Sequence, residues 1–141
     1  MSRIFLDTNL FIYFYEDCGE PTRRTQELFA RMNERKDDIY TSSLTLGELL
    51  VKPLEKGNER LARLYESQLG PPAITIIPFD RACAGSFARI RRDRSIKAPD
   101  AIQLACAAQA GCDLFLTNDD RLSRKIIPGI QFIASVERAF L

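Results

Sequence analysis

Four carboxylates occupy positions where the hydropathy pattern predicts the ends of buried strands or the first turns of neighbouring helices; they are Asp7, Glu48, Asp100 and Asp119. Asp7 directly follows the apolar run IFL, and Asp119 comes soon after a second run, DLFLT. In open parallel sheets, ligands bind beyond the carboxyl ends of the strands. Carboxylates that meet at this edge repel one another unless a cation lies between them.

The chemistry of these side chains predicts a divalent metal site. Hard carboxylate oxygens suit Mg²⁺ or Mn²⁺, which bind few carboxylates directly and keep several waters. The chain contains no histidine, so Ser-His-Asp and Cys-His nucleophilic systems are excluded. A water whose pKa is lowered by the metal then supplies the nucleophile. Phosphodiesters fit such a site, because the metal bridges the anionic substrate to the acids.

Each acid also has a purely structural interpretation. Asp7 is a suitable N-cap for the helix that follows it, and Asp100 in a first helical turn interacts favourably with the helix dipole. Asp119 and Asp120 fit an Asx turn that leads into a helix. Glu48 fits a solvated helix position. Asp120 adjoins Asp119 and is the alternative candidate for its role.

Short apolar strands alternate with helices along the whole chain. The strands are predicted at residues 2–6, 39–41, 74–79, 113–117 and 129–133. The main helices are predicted over residues 9–16, 23–35, 43–53, 61–69, 81–92 and 98–110. This alternation implies right-handed crossovers and predicts a three-layer α/β/α sandwich around a central parallel sheet of four to five strands. The pattern leaves the strand order open.

The composition limits the classes of function. A chain of 141 residues without repeats or a long linker fits a single domain, residues 1–141. The net charge of +1 restricts any nucleic-acid surface to a local patch. The four cysteines include no CxxC pair, which argues against a structural zinc site. No stretch approaches the roughly 20 apolar residues that cross a bilayer. The N-terminus is a poor match to a signal peptide, so the cytoplasm is the expected compartment.

Four segments of the chain together resemble a PIN-domain ribonuclease of the VapC type, the toxin of a toxin–antitoxin pair. The segments are IFLDTN at 4–9, TSSLTLGELL at 41–50, APDAIQLACAAQAG at 98–111 and FLTNDDRL at 115–122. They occur in the order typical of the family and are distributed over most of the chain. Their combination is far more specific than any one segment.

The resemblance implies a PIN-like fold with an acidic site that binds Mg²⁺ or Mn²⁺. The acids that match the family's catalytic and metal-binding positions are Asp7, Glu48, Asp100 and Asp119. The polar residues that would support them are Thr8, Asn9, Thr117 and Asn118. The implied activity is metal-dependent hydrolysis of RNA, and in-line attack by water predicts 5′-phosphate and 3′-hydroxyl ends. The resemblance also implies a cognate antitoxin protein and a homodimer.

Two segments and two other functions remain open at this point. Residues 87–100, FARIRRDRSIKAPD, fit either a solvated helix end or a loop that binds phosphates, and residues 11–16, FIYFYE, fit either the core or a partner interface. One alternative function is a catalytically silent PIN-like scaffold that binds RNA or protein. The other is an aspartate-based phosphohydrolase of the haloacid-dehalogenase type. That alternative is disfavoured, because Asn9 stands where those enzymes usually carry a second aspartate.

Overall fold

The computed structural model describes residues 1–139 and 141. Its strands are β1 (Arg3–Leu6), β2 (Asp38–Ser42), β3 (Ile74–Ile77), β4 (Leu114–Thr117) and β5 (Phe132–Ser135). Its helices are α1 (Thr8–Tyr15), α2 (Glu20–Arg35), α3 (Ser43–Glu55), α4 (Glu59–Gln68), α5 (Arg81–Ile90) and α6 (Ala98–Gln109), with a short 3-10 turn at Leu122–Arg124. The predicted alternation of strands and helices is confirmed.

The five strands form one parallel sheet in the order β3-β2-β1-β4-β5. β1 lies at the centre, where Phe5 is paired in register with Tyr40 of β2 and with Phe115 of β4. The carboxyl ends of all five strands therefore point to one edge. Asp7 extends this pattern, since its backbone N–H donates to the carbonyl of Leu116 at 3.0 Å.

Side chains that alternate along β1 divide the hydrophobic core between the two faces of the sheet. Phe5 points to the face covered by α5 and α6, where its ring stacks on Phe115 with a centroid distance of 5.2 Å. Ile4 and Leu6 point to the opposite face, which α1 to α4 cover. Strands that are buried on both faces have continuous apolar sequences, and Ile4, Phe5 and Leu6 of β1 form such a run. The three-layer α/β/α arrangement is confirmed.

The ends of several helices follow from capping chemistry. Ser42 caps α3 and Asp80 caps α5, and each side-chain oxygen accepts a backbone N–H three residues ahead. α2 begins at Glu20, three residues earlier than predicted, because Pro21 fits the first helical turn, where a missing N–H costs nothing. β5 begins at Phe132, three residues later than predicted, because a turn around Gly129 occupies the preceding segment.

The aromatic segment 11–16 contributes mainly to the core. Phe11 is fully buried, and Phe14 stacks on Phe29 of α2 with a centroid distance of 4.3 Å. Tyr65 of α4 is also buried, and its hydroxyl donates to Glu16 at 2.5 Å.

Cys18 is exposed, whereas the other three cysteines are buried, and all four are free thiols. Within residues 1–139 and 141, no helix is long and apolar enough to cross a membrane.

Candidate active site

Asp7 lies at the end of the central strand, where it both caps α1 and faces the other acids. Its Oδ1 accepts the backbone N–H of Thr8 at 2.8 Å, and its Oδ2 accepts the hydroxyl of Thr117 at 2.9 Å. Burial is the main reason why the pKa of Asp7 is raised to about 6; the charges of Asp100 and Glu48 add to this rise, and the two hydrogen bonds oppose it. The structure confirms that Asp7 caps α1, and this role leaves its predicted catalytic role open.

Glu48 reaches the site from α3 through a hydrogen bond to α1. Its Oε1 accepts the hydroxyl of Thr8 at 2.5 Å. Thr45, one turn earlier on α3, lies 3.3 Å from the same hydroxyl. Glu48 is itself exposed, so its carboxylate lies at the open surface of the edge while its hydrogen bond holds it toward Asp7.

Gln103 of α6 connects this helix to α1 and α3. The sequence analysis did not identify it. It is 2% exposed on α6, and its Nε2 donates to the hydroxyl oxygens of Thr45 at 2.6 Å and Thr8 at 3.2 Å. Its Oε1 accepts the hydroxyl of Ser42, the N-cap of α3. A signal was present, because Gln103 lies three residues after Asp100 and so on the same helix face.

Asp100 lies in the first turn of α6 and interacts with the other acids by charge. Partial burial raises its pKa, and the nearby charges of Asp119 and Glu48 raise it further. Lys97 and Arg121 act in the opposite direction. Asp100 is half-buried, so its carboxylate is accessible at the edge of the sheet.

Asp119 follows β4 and forms an ion pair with its neighbour Arg121. The guanidinium of Arg121 lies 3.1 Å from Asp119 Oδ2, and its backbone N–H donates to Oδ1 at 2.8 Å. The hydrogen bond from the Arg121 side chain is the largest reason why the pKa of Asp119 is lowered. The backbone N–H of Asp119 also donates to Thr117, which in turn donates to Asp7. The four predicted acids thus form one connected electrostatic network.

Asp120 faces a different part of the molecule. Its Oδ1 lies 3.9 Å from the guanidinium nitrogen of Arg138, and it lines a separate cavity together with Asn118 and Ser135. The charges of Asp119 and Glu48 are among the main causes that raise the pKa of Asp100. Asp119 is therefore the better candidate for the fourth acid of the network.

The donor chemistry of the network fits a hard divalent cation. All of its side-chain ligands are oxygens, from four carboxylates and the hydroxyls beside them, which suits Mg²⁺ or Mn²⁺ and not a soft metal. In the part of the chain that the structure describes, however, no three acidic or cysteine side chains are already arranged to hold a metal together. Asp119 instead pairs with Arg121, and Glu48 accepts its hydrogen bond from Thr8.

Two basic residues of the segment 87–100, which fits either a solvated helix end or a phosphate-binding loop, line a cleft between two segments. Arg89 and Arg92 lie on one wall, and Arg124 and Lys125 lie on the other, around a volume of about 460 Å³. Lys125 donates to Asp93 at 2.9 Å and joins the two walls. The hypothesis of a solvated helix end is also partly correct, because most of these cations are exposed.

Comparison with solved structures relates this fold to toxin–antitoxin proteins. A DNA-bound VapBC from Salmonella typhimurium is 25% identical, with a TM-score of 0.72, and the match covers 96% of this chain and 99% of that chain. VapBC2 from Rickettsia felis, bound to a promoter DNA fragment, is 17% identical, with a TM-score of 0.71 and coverage of 94% and 98%. VapC20 from Mycobacterium tuberculosis, a toxin that cleaves the Sarcin-Ricin loop, is 14% identical, with a TM-score of 0.69 and coverage of 87% and 96%.

Sequence comparison assigns the family directly. A search of curated proteins found no significant match. The profile of the PIN domain matches residues 4–126, which is most of the chain and includes all four acids. The sheet order, the acidic edge and this match lead to one conclusion: the chain belongs to the PIN domain family.

Proposed function

We propose that this protein is a metal-dependent endoribonuclease that acts as the toxin of a toxin–antitoxin pair. The observation that carries the proposal is the mutual charge interaction among the four acids at one edge of a PIN-domain sheet; they are Asp7, Glu48, Asp100 and Asp119. Like charges this close destabilise the folded protein unless a cation offsets them. A site of this kind is expected to bind a cation.

In the proposed mechanism, Asp7, Asp100 and Asp119 would hold Mg²⁺ or Mn²⁺, and Glu48 would hold it directly or through water. When bound, the metal supplies an activated water for in-line attack and stabilises negative charge on the phosphate. Thr117 and Thr8 orient the carboxylates of Asp7 and Glu48. The RNA's own 2′-hydroxyl is not needed as a nucleophile, so the products carry 5′-phosphate and 3′-hydroxyl ends.

The basic cleft supports RNA as the substrate. Four cations line it, at Arg89, Arg92, Arg124 and Lys125, and Asp93 is the one acid among the described residues that line it. A positively charged groove follows the backbone of a nucleic acid and binds it through phosphate contacts. Lys97 and Arg121 lie within charge-interaction range of Asp100 and extend positive charge toward the acids. An RNA-cutting toxin would act in the cytoplasm, where its target RNA is found.

An apolar groove beside Glu48 supports a protein partner. It has a volume of about 420 Å³ and is lined by Ile12, Leu49, Val51 and Leu61. Val51 is 51% exposed and Leu54 is 63% exposed, which leaves apolar surface on α3 next to a site acid. We propose that a cognate antitoxin covers this groove, which the similarity to VapBC complexes supports. We also propose a homodimer, which rests on the family resemblance of the sequence alone.

The test is cleavage of total RNA by antitoxin-free protein, with Mg²⁺, with Mn²⁺ and with EDTA. Wild type and a control variant, Glu66→Gln on the exposed surface of α4, should cut in metal and not in EDTA. Asp100→Asn should lose cleavage, and the products should be degraded by an exonuclease that requires 5′-phosphate ends. Metal-independent cutting, or equal cutting by Asp100→Asn, would refute the proposed site. Absence of cutting and of Mn²⁺ binding would favour the silent scaffold.

A further inference from the structure

Arg121 places a permanently charged guanidinium inside the acidic network. Its Nη2 donates to Asp119 Oδ2 at 3.1 Å and its Nε donates to Oδ1 at 3.3 Å, so the guanidinium contacts both oxygens of that carboxylate. Arg121 also interacts by charge with Asp100. It therefore attracts acids from two different elements, the loop after β4 and the first turn of α6.

The loop that carries Arg121 is held by backbone contacts that do not involve the guanidinium. The backbone N–H of Arg121 donates to Asp119 Oδ1 at 2.8 Å, and the N–H of Asp119 donates to Thr117 at 3.1 Å. The N–H of Leu122 donates to the carbonyl of Asp119 at 3.1 Å. The Arg121 side chain is 79% exposed, and exposed ion pairs contribute little to stability. The guanidinium can therefore leave Asp119 while the loop keeps its shape.

The ion pair and a divalent cation compete for Asp119 Oδ2. When Asp119 and Asp100 hold a divalent cation, the guanidinium is repelled by that cation and loses its carboxylate partner. A phosphate that binds beside these two acids lies next to Arg121, because Arg121 already interacts with both of them. A guanidinium matches a phosphate through two parallel N–H donors, so the phosphate is its natural new partner.

We propose that Arg121 exchanges partners: it pairs with Asp119 in the metal-free protein and binds the RNA phosphate at the cleavage site once the acids hold a divalent cation. Arg121 is then a further catalytic residue, which stabilises the negative charge that develops on this phosphate. In the metal-free protein it reduces the repulsion among the acids. The inference rests on the proposed function for its metal and its substrate, but its main test needs no catalysis.

The test compares RNA binding with and without a divalent cation. Fluorescence anisotropy measures the Kd of a short labelled oligouridylate in EDTA and in Ca²⁺, at a Ca²⁺ concentration that calorimetry shows to saturate each protein. Gel electrophoresis checks that the RNA stays intact. Arg138→Ala is the matched control, since it removes one exposed arginine from a neighbouring ion pair, with Asp120.

The expected result is a loss of affinity that depends on the cation. In EDTA, Arg121→Ala and Arg138→Ala should weaken RNA binding equally, by about twofold, because each removes one surface charge. In Ca²⁺, Arg121→Ala should weaken it about tenfold, while Arg138→Ala stays at about twofold. Arg121→Lys keeps the charge without the planar fork and should weaken binding in Ca²⁺ by about threefold.

Two outcomes of this comparison would overturn the inference. A loss in Arg121→Ala that is equally large in EDTA and in Ca²⁺ would make Arg121 a fixed phosphate contact and refute the exchange. A loss in Ca²⁺ no larger than that of Arg138→Ala would refute the phosphate contact itself. Circular dichroism checks that the variants are folded, and Arg121→Lys keeps the test valid if Arg121→Ala is not.

The inference and the proposed function can fail separately. Metal-dependent cleavage by Arg121→Ala at the wild-type rate would leave the nuclease intact and refute the exchange. A Ca²⁺-dependent loss of RNA affinity in Arg121→Ala, without cleavage by wild type in Mg²⁺ or Mn²⁺, would support the exchange and refute the nuclease. Absence of both Ca²⁺ and Mn²⁺ binding to wild type would refute both.

Discussion

Asp7→Asn should stabilise the metal-free protein at about pH 8 while it abolishes cleavage. Burial raises the pKa of Asp7 from 3.8 to about 6, and the charges of Asp100 and Glu48 contribute. This difference corresponds to about 3 kcal/mol that the fold loses by holding the carboxylate charged. The asparagine gives up charge-assisted hydrogen bonds from Thr8 and Thr117, so we expect a net gain of about 1 to 2 kcal/mol in the free energy of unfolding.

The pH dependence of this effect has a definite sign. Because the folded protein binds the Asp7 proton more tightly than the unfolded chain, wild type loses stability as the pH rises from about 4 to about 6. The advantage of Asp7→Asn should therefore be absent at about pH 4 and complete at about pH 8. Urea unfolding in EDTA at both pH values measures the difference directly.

Asp119→Asn is the matched control from the same site. Arg121 lowers the pKa of Asp119, so the charged form of this carboxylate favours the folded protein. Removing that charge should leave the protein no more stable at about pH 8, or slightly less stable. A loss of stability in Asp7→Asn at this pH would refute the reasoning, as would a difference that does not change with pH.

Three further predictions concern the network around the site. Gln103→Leu removes a buried donor and acceptor and should lower the free energy of unfolding by about 3 kcal/mol in urea titrations, whereas the exposed Gln109→Leu should change it by less than about 0.5 kcal/mol. Mn²⁺ at about 100 times its Kd should stabilise wild type by about 2.7 kcal/mol in thermal unfolding, and Asp100→Asn should lose most of this gain. Arg121→Ala frees Asp119 and should tighten Mn²⁺ binding about fivefold by calorimetry; unchanged binding would show that the ion pair does not compete with the metal.

The parts of the site that were predictable are those that short segments encode. Asp7 follows an apolar strand and precedes a helix, so its role as a cap and its place at the sheet edge are both local properties. The same holds for Asp119 after β4 and for Asp100 in the first turn of α6. The sequence left Asp120 as the alternative to Asp119, and only the fold shows that Asp120 lines a cavity with Asn118 and Ser135 whereas Asp119 pairs with Arg121.

The parts that were not predictable depend on contacts between distant segments. The side chain of Gln103 bonds to Thr8, which is 95 residues away in the sequence, and to Thr45, which is 58 residues away. The spacing from Asp100 places Gln103 on the same face of α6, but it does not identify these distant partners. The pairing of Leu6 with Leu116, which places β4 beside the central strand β1, also joins segments that are distant in the sequence. Short-range patterns carry no information about such pairs.

The strand order explains why the acids converge where they do. β2 and β3 extend the sheet on one side of β1, and β4 and β5 extend it on the other. The order in which strands are added to the sheet therefore reverses between β1 and β4, although all strands remain parallel. Right-handed crossovers then place the connecting helices on opposite faces, with α1 to α4 on one and α5 and α6 on the other. The helices separate at this switch point and leave a crevice beyond the carboxyl ends of the strands. Asp7 and Asp119 follow the two strands that flank it, and α6 brings Asp100 to it from the opposite face. The acidic site is therefore a consequence of the topology, which makes Asp7, at the centre of the sheet, the most buried of the acids and the most sensitive test of the mechanism.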